Sequence, residues 1–141
     1  MSYQYPAIIF LIPFLTAICM PVVCRKKRDW CRPIALAAVF AMSAAALANL
    51  LDVLQDGETR HVFGGWLSSA ATAGVPIGIE WVNDGLASIM VVVVSLLASV
   101  CVIYGGPVMP PSLGPRVVHY HSLILLLISG LVGIVFAGDI F

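Results

Sequence analysis

Charge is what this sequence has least of. Only 10% of its 141 residues are charged, against about 25% in a typical soluble domain. So few charges cannot coat a water-facing surface. With 61% hydrophobic residues and a mean hydropathy of +1.05, the chain reads as an integral membrane protein. The formal net charge is zero, and five of the seven cationic residues (Arg25, Lys26, Lys27, Arg28 and Arg32) sit in one short loop. Nucleic acid is thereby excluded as a partner. The four cysteines, Cys19, Cys24, Cys31 and Cys101, show no Cys-x-x-Cys spacing. They read as free thiols used as small apolar residues. The chain also lacks a nucleophile–base arrangement, a phosphate loop and a metal-spaced His/Cys/Glu cluster. Neither a cofactor nor an active site is expected. Internal repeats, low-complexity stretches and a soluble second domain are missing as well. Met1 to Tyr5 carries no positive charge, and no small-x-small cleavage pattern follows. The first apolar run is therefore read as an uncleaved membrane helix rather than a signal peptide.

Long apolar runs are what the chain does have. A hydrocarbon core about 30 Å thick needs roughly 20 helical residues. Four runs meet that length, at about 5–23, 33–53, 82–104 and 117–137. The expected fold is all-α, a single membrane domain of four transmembrane helices. Pro13 and Pro21 interrupt the first run, and the carbonyls they free need protein or water partners. Pro33 suits the first turn of the second. Ala37, Ala41, Ala44 and Ala48 place small residues on one face of the second run; Gly85, Ser88, Ser95 and Ser99 do so on the third. Ser122, Ser129, Gly133 and Ala137 repeat the pattern on the fourth. Such faces allow close helix approach. The outer loop, 54–81, is rich in glycine and excludes a long regular helix; its alternation from Val75 to Trp81 suggests a short strand or extended lid. Trp66 and Trp81 suit the interface. Gly105 to Arg116, with its Gly-Gly-Pro and Pro-Pro steps, reads as a stiff turn.

Topology follows from the cations. The basic loop 24–32 is expected on the cytoplasmic side, with both termini outside, in a multi-pass protein of the cell inner membrane. Membrane lipid is the surrounding partner.

No ionisable residue falls near the centre of any expected helix. Asp52, Glu80, Asp84, Asp139, His119 and His121 all lie at predicted ends. Proton and sodium routes need titratable or coordinating groups at depth, so a complete route inside this chain is not expected. His119 and His121, two residues apart, point about 200° from one another on a helix and make a poor metal pair. They are candidates for a proton-collecting surface, weighed against interfacial histidines with no role. Asn83 or Asp84 can cap the third helix. Asp139 lies where a helix C-terminus disfavours an anion, and capping a following helix is the simplest reason for it.

Three stretches together resemble one family. They are FGGW…GIEWVNDGLASIM, the helix that follows it, and LLLISGLVGIVFAGDIF. They look like the N-terminal part of the large proton-translocating antiporter-like subunits: the D subunit of Mrp-type Na+/H+ antiporters, and the membrane-arm subunits of NADH–quinone oxidoreductase and membrane-bound hydrogenases. Gly138-Asp139-Ile140-Phe141 is the most specific signal; Gly78-Ile79-Glu80 with Asp84-Gly85-Leu86 is the next. In the family the motif matching GDIF leads into a fifth helix with a glutamate, paired with a lysine further on. Those positions have no counterpart here, so no functional glutamate or lysine carries over. The resemblance implies a membrane subunit, split or truncated, with a structural and assembly role beside the ion path. Its partners would be the other subunits of a hetero-oligomeric membrane complex, including a chain that supplies the remaining helices. Asp139, Phe141, Glu80 and Asp84 are then candidate interface or junction residues. Two routes to such a complex stay open, a split subunit and an accessory scaffold. A redox-driven complex is the alternative to a gradient-driven antiporter.

Overall fold

A computed structural model describes residues 5–24, 30–57, 59–63, 79–108, 114 and 116–137. The basic residues Arg25 to Arg28, Trp66, the Pro110-Pro111 step, and the candidate junction residues Asp139 and Phe141 lie outside the described residues.

The elements run α1 (Tyr5–Val23), α2 (Cys31–Asp56), β1 (Thr59–Phe63), β2 (Ile79–Asn83), α3 (Gly85–Val108) and α4 (Arg116–Phe136). All four helices are long and apolar enough to cross a membrane. At 1.5 Å per residue, α1 spans about 28 Å and α2 about 39 Å. The chain is thus an all-α module of four membrane-spanning helices, with one small hairpin at one end.

The helices form an up-and-down bundle in which α1 packs on α4 and α2, α2 on α3, and α3 on α4. The interior is smaller and more polar than the exterior. Ala17, Ala35, Ala38, Ala46, Ala87 and Ala98 are buried with Ser88, Ser95 and Ser129, and larger side chains such as Met20, Met42, Leu125 and Phe136 fill the gaps. Outward faces carry bulky residues, among them Leu11, Leu15, Leu96, Leu97, Leu123 and Leu127. Lipid tails are as apolar as leucine, so burial of leucine does not hold such a bundle together. Close packing of small residues and interhelical hydrogen bonds do. Two of the three small-residue faces work this way. Gly133 of α4 lies against the Phe10 ring of α1, and Ser43 Oγ of α2 sits 3.3 Å from Ser99 Oγ of α3. The alanine face of α2 does not: Ala37, Ala41 and Ala44 are exposed. Of the four consecutive valines in α3, only Val93 is exposed, and Val91 is fully buried.

Both ends of α3 depart from the sequence expectation. Val82 and Asn83 belong to β2, and the helix begins at Gly85. Its far end continues through Gly105, Gly106 and Pro107 to Val108. Proline is tolerated there because only one backbone bond, that to the Ile103 carbonyl, is lost. The glycines are held by packing. A Cβ on Gly105 would lie 2.6 Å from the Tyr120 hydroxyl, and one on Gly106 would lie 2.5 Å from Arg32 Nε.

Candidate functional site: the polar seam at the hairpin end

β1 and β2 pair antiparallel, with Thr59 opposite Asn83 and Phe63 opposite Ile79. Trp81 at the middle of β2 also bridges to Ala137, just past α4. Strand β2 therefore lies between β1 and the end of α4. The Trp81 ring stacks on Phe136, with centroids 6.0 Å apart, and meets Phe10 of α1 edge-on at 5.6 Å. Phe10 in turn stacks on Phe14 at 5.5 Å. Trp81 thus closes the α1–α4 junction from above, a more specific position than the interfacial belt.

Two residues further on, the strand enters the bundle. Asn83 is buried and exchanges a reciprocal amide pair with Asn49 of α2: Asn49 Nδ2 donates to Asn83 Oδ1 at 3.0 Å, and Asn83 Nδ2 to Asn49 Oδ1 at 2.9 Å. Ser88 of α3 completes the group. It accepts from Asn49 Nδ2 at 3.1 Å and donates to Asn83 Oδ1 at 3.1 Å. Asn49 lies seven residues inside the end of α2, about 10 Å deep along the axis. At that depth an amide without partners is costly, and here both amides are paired. Asp84 follows directly and acts as the cap of α3: its Oδ1 accepts the Ala87 N–H at 2.7 Å, and its carbonyl accepts the Ser88 N–H at 3.0 Å.

The sequence-predicted site residues are thus dispersed. Asp84 is in the seam as a cap. Glu80 is in β2, opposite Val62. His119 and His121 are at the opposite end of the bundle, on different faces of α4: His119 is exposed, while His121 is 2% exposed and packs its ring edge-on to Tyr120 at 5.3 Å. The residues that organise the seam, Asn49, Asn83, Ser88 and Trp81, were readable in sequence only as boundary residues or packing positions. An asparagine on an apolar helix, one turn before Asp52, was the available signal for Asn49.

Chemically, the Asn49–Asn83–Ser88 trio is built to fix position. Every member of the trio is a neutral amide or hydroxyl. Further down, Ser43, Ser95 and Ser99 direct their hydroxyls to the backbone carbonyls of Val39, Val92 and Ser95 at 2.8–2.9 Å. Among the described residues no group of three or more His, Cys, Asp or Glu side chains is arranged to hold a metal ion.

No protein-family model matches the chain. Two curated relatives do. NADH-quinone oxidoreductase subunit N of Desulforudis audaxviator (strain MP104C) is 30% identical over 142 residues, covering 100% of this chain and 27% of that protein. Putative antiporter subunit mnhD2 of Staphylococcus haemolyticus (strain JCSC1435) is 27% identical over 136 residues, covering 93% of this chain and 24% of that protein. The chain spans about a quarter of the length of these relatives. It is accordingly a membrane-embedded chain related to the antiporter-like subunits of antiporter and respiratory complexes.

Proposed function

We propose that this chain, a relative of antiporter-like membrane subunits, serves as a non-conducting structural module of a multisubunit ion-translocating complex. It packs beside the helices that carry the ion, and it supports assembly rather than turnover. One observation carries this reading. Among the described residues, the buried polar groups inside the bundle are Asn49, Asn83, Ser88, Ser95, Ser129 and His121; none is a carboxylate, amine or guanidinium. The described charges lie at or near helix ends, as Arg32, Asp52, Asp84 and Arg116 do, or in the strands, as Arg60 and Glu80 do. His121 is the one ionisable side chain among the buried groups, and it lies in the second turn of α4 rather than mid-bundle. An ion path needs a chain of charged or coordinating groups at depth, and the others would come from partner chains. In this reading the complex sits in the cell inner membrane, the basic loop faces the cytoplasm, and the hairpin end faces outward.

The test is reconstitution. The purified chain in proteoliposomes is expected to give no Na+/H+ exchange above protein-free vesicles, read with a pH-sensitive dye under an imposed gradient. Exchange at a rate proportional to protein would overturn the proposal. A redox-driven complex is supported by the subunit N relative, which matches the chain over its full length. Flavin or iron–sulfur absorbance in the complex that co-purifies with a tagged chain distinguishes it from a gradient-driven antiporter.

A further inference from the structure

Two helices carry a proline near the end of the bundle opposite the hairpin, Pro21 in α1 and Pro107 in α3. Each lacks the N–H that would reach the carbonyl four residues back. Those carbonyls belong to Ala17 and Ile103, and in both cases a neighbouring helix supplies a donor. Ser122 Oγ of α4 donates to the Ala17 carbonyl at 2.6 Å. Arg32 Nη2 of α2 reaches the Ile103 carbonyl at 3.5 Å, lying across Gly106, which has no side chain to block it. The end of α1 is therefore fastened by a short tertiary hydrogen bond, and that of α3 by a long, solvent-exposed one, at the points where their own ladders are broken.

The closed arrangement has a defect beside it. His121, next to Ser122, is buried; its Nδ1 lies 2.9 Å from the Val117 carbonyl, and its Nε2 has no hydrogen-bond partner among the described residues. Buried polar atoms are nearly always paired, so an exception calls for a reason. Separating the helix ends would bring water to Nε2 while releasing the two side-chain donors. The closed and open arrangements then differ by a few hydrogen bonds, the condition under which both are populated.

We propose that the ends of α1 and α3 are latched hinges, with Ser122 as the latch on α1 and Arg32 as the latch on α3, and that their release admits water to His121. This conformational device goes beyond the structural role proposed above and does not depend on it. Cys24 and Cys31, fully buried at the same end, report on it. The experiment places the chain in lipid nanodiscs, where both faces are accessible, and follows labelling of Cys24 by a charged maleimide with residue-resolved mass spectrometry. Ser122→Ala is expected to raise the Cys24 rate about three- to tenfold, the loss of one hydrogen bond. Ser122→Thr, which keeps the hydroxyl, retains the original rate. Pro21→Ala restores the backbone donor, so in that background Ser122→Ala has no further effect. An unchanged Cys24 rate in Ser122→Ala, or an equal increase with and without Pro21, overturns the latch on α1. For α3, Arg32→Gln is expected to speed amide exchange over 104–108 at least about twofold, as the loss of a weak hydrogen bond would; unchanged exchange there overturns the latch on α3.

Discussion

Replacing Asn49 with alanine tests what fastens the hairpin to the bundle. Asn49 takes part in three of the four hydrogen bonds described among Asn49, Asn83 and Ser88. Hydrogen bonds inside membrane proteins average about 0.6 kcal/mol and reach about 1.7. Asn49→Ala is therefore expected to cost about 2–3 kcal/mol, the upper part coming from Asn83 and Ser88 groups that stay buried with fewer partners. The Asn49–Asn83 pair shares two of those bonds. Removing both residues counts the shared bonds once, so the double variant should fall short of the summed single losses by about 1 kcal/mol. The assay is reversible unfolding in mixed micelles under an SDS titration. Helicity reports the bundle, and Trp81 emission in a Trp30→Phe, Trp66→Phe background reports the hairpin end. Ser95→Ala is the control, because among the described residues the Ser95 hydroxyl bonds only to the Val92 carbonyl of its own helix; it should change stability by less than about 0.5 kcal/mol. A loss below about 0.5 kcal/mol for Asn49→Ala, or strict additivity in the double variant, would refute the seam as a structural tie.

Two further perturbations follow from single contacts. Asp84→Ala removes the acceptor for the Ala87 N–H and should lower stability by about 1 kcal/mol in the same titration, with Asp84→Asn largely preserving it. Among the glycines, a Cβ on Gly130 meets nothing within 4 Å, whereas one on Gly105 meets the Tyr120 ring. Gly130→Ala should gain about 0.5–1 kcal/mol from backbone entropy, and Gly105→Ala should lose about 1 kcal/mol as Tyr120 is forced aside; equal shifts for the two would contradict the packing at Tyr120.

The bundle was legible in the sequence because a membrane span announces itself by length and hydropathy, and α1 falls on the expected residues. The hairpin was only half legible. The alternation before Trp81 suggested a strand, but its partner, Thr-Arg-His-Val-Phe, carries no such alternation. Gly-Gly-Pro marks a loop by local rules. Here it continues a helix, because Tyr120 and Arg32 occupy the space that side chains at 105 and 106 would need. The alanine face of α2 was readable as a packing surface, yet periodicity cannot say whether the neighbour lies inside the chain; Ala37, Ala41 and Ala44 face outward. Nothing local told that Asn49 would find Asn83, since the two lie 34 positions apart in the sequence. Helical arithmetic separates His119 from His121 around the helix, but the depth of His121 depends on helices that arithmetic does not see.

The two ends of the bundle therefore solve the same problem differently. Both must satisfy polar backbone or side-chain groups close to, or within, hydrocarbon. At the hairpin end the solution is reciprocal: amide to amide, hydroxyl between them, and an aromatic ring closing the junction. No member can leave without breaking several contacts. At the opposite end the ladders broken at Pro21 and Pro107 are each mended by one side chain, and a buried imidazole nitrogen has no partner among the described residues. There a single contact can let go without unmaking the others. In the structural role proposed above, such an asymmetry, with one end held by several contacts and the other by single ones, would let the module hold neighbours that move. On this reasoning Ser122→Ala should loosen Cys24 while leaving Trp81 emission unchanged, and Asn49→Ala should do the reverse. Movement of both reporters in either variant would show the bundle to be a single rigid unit.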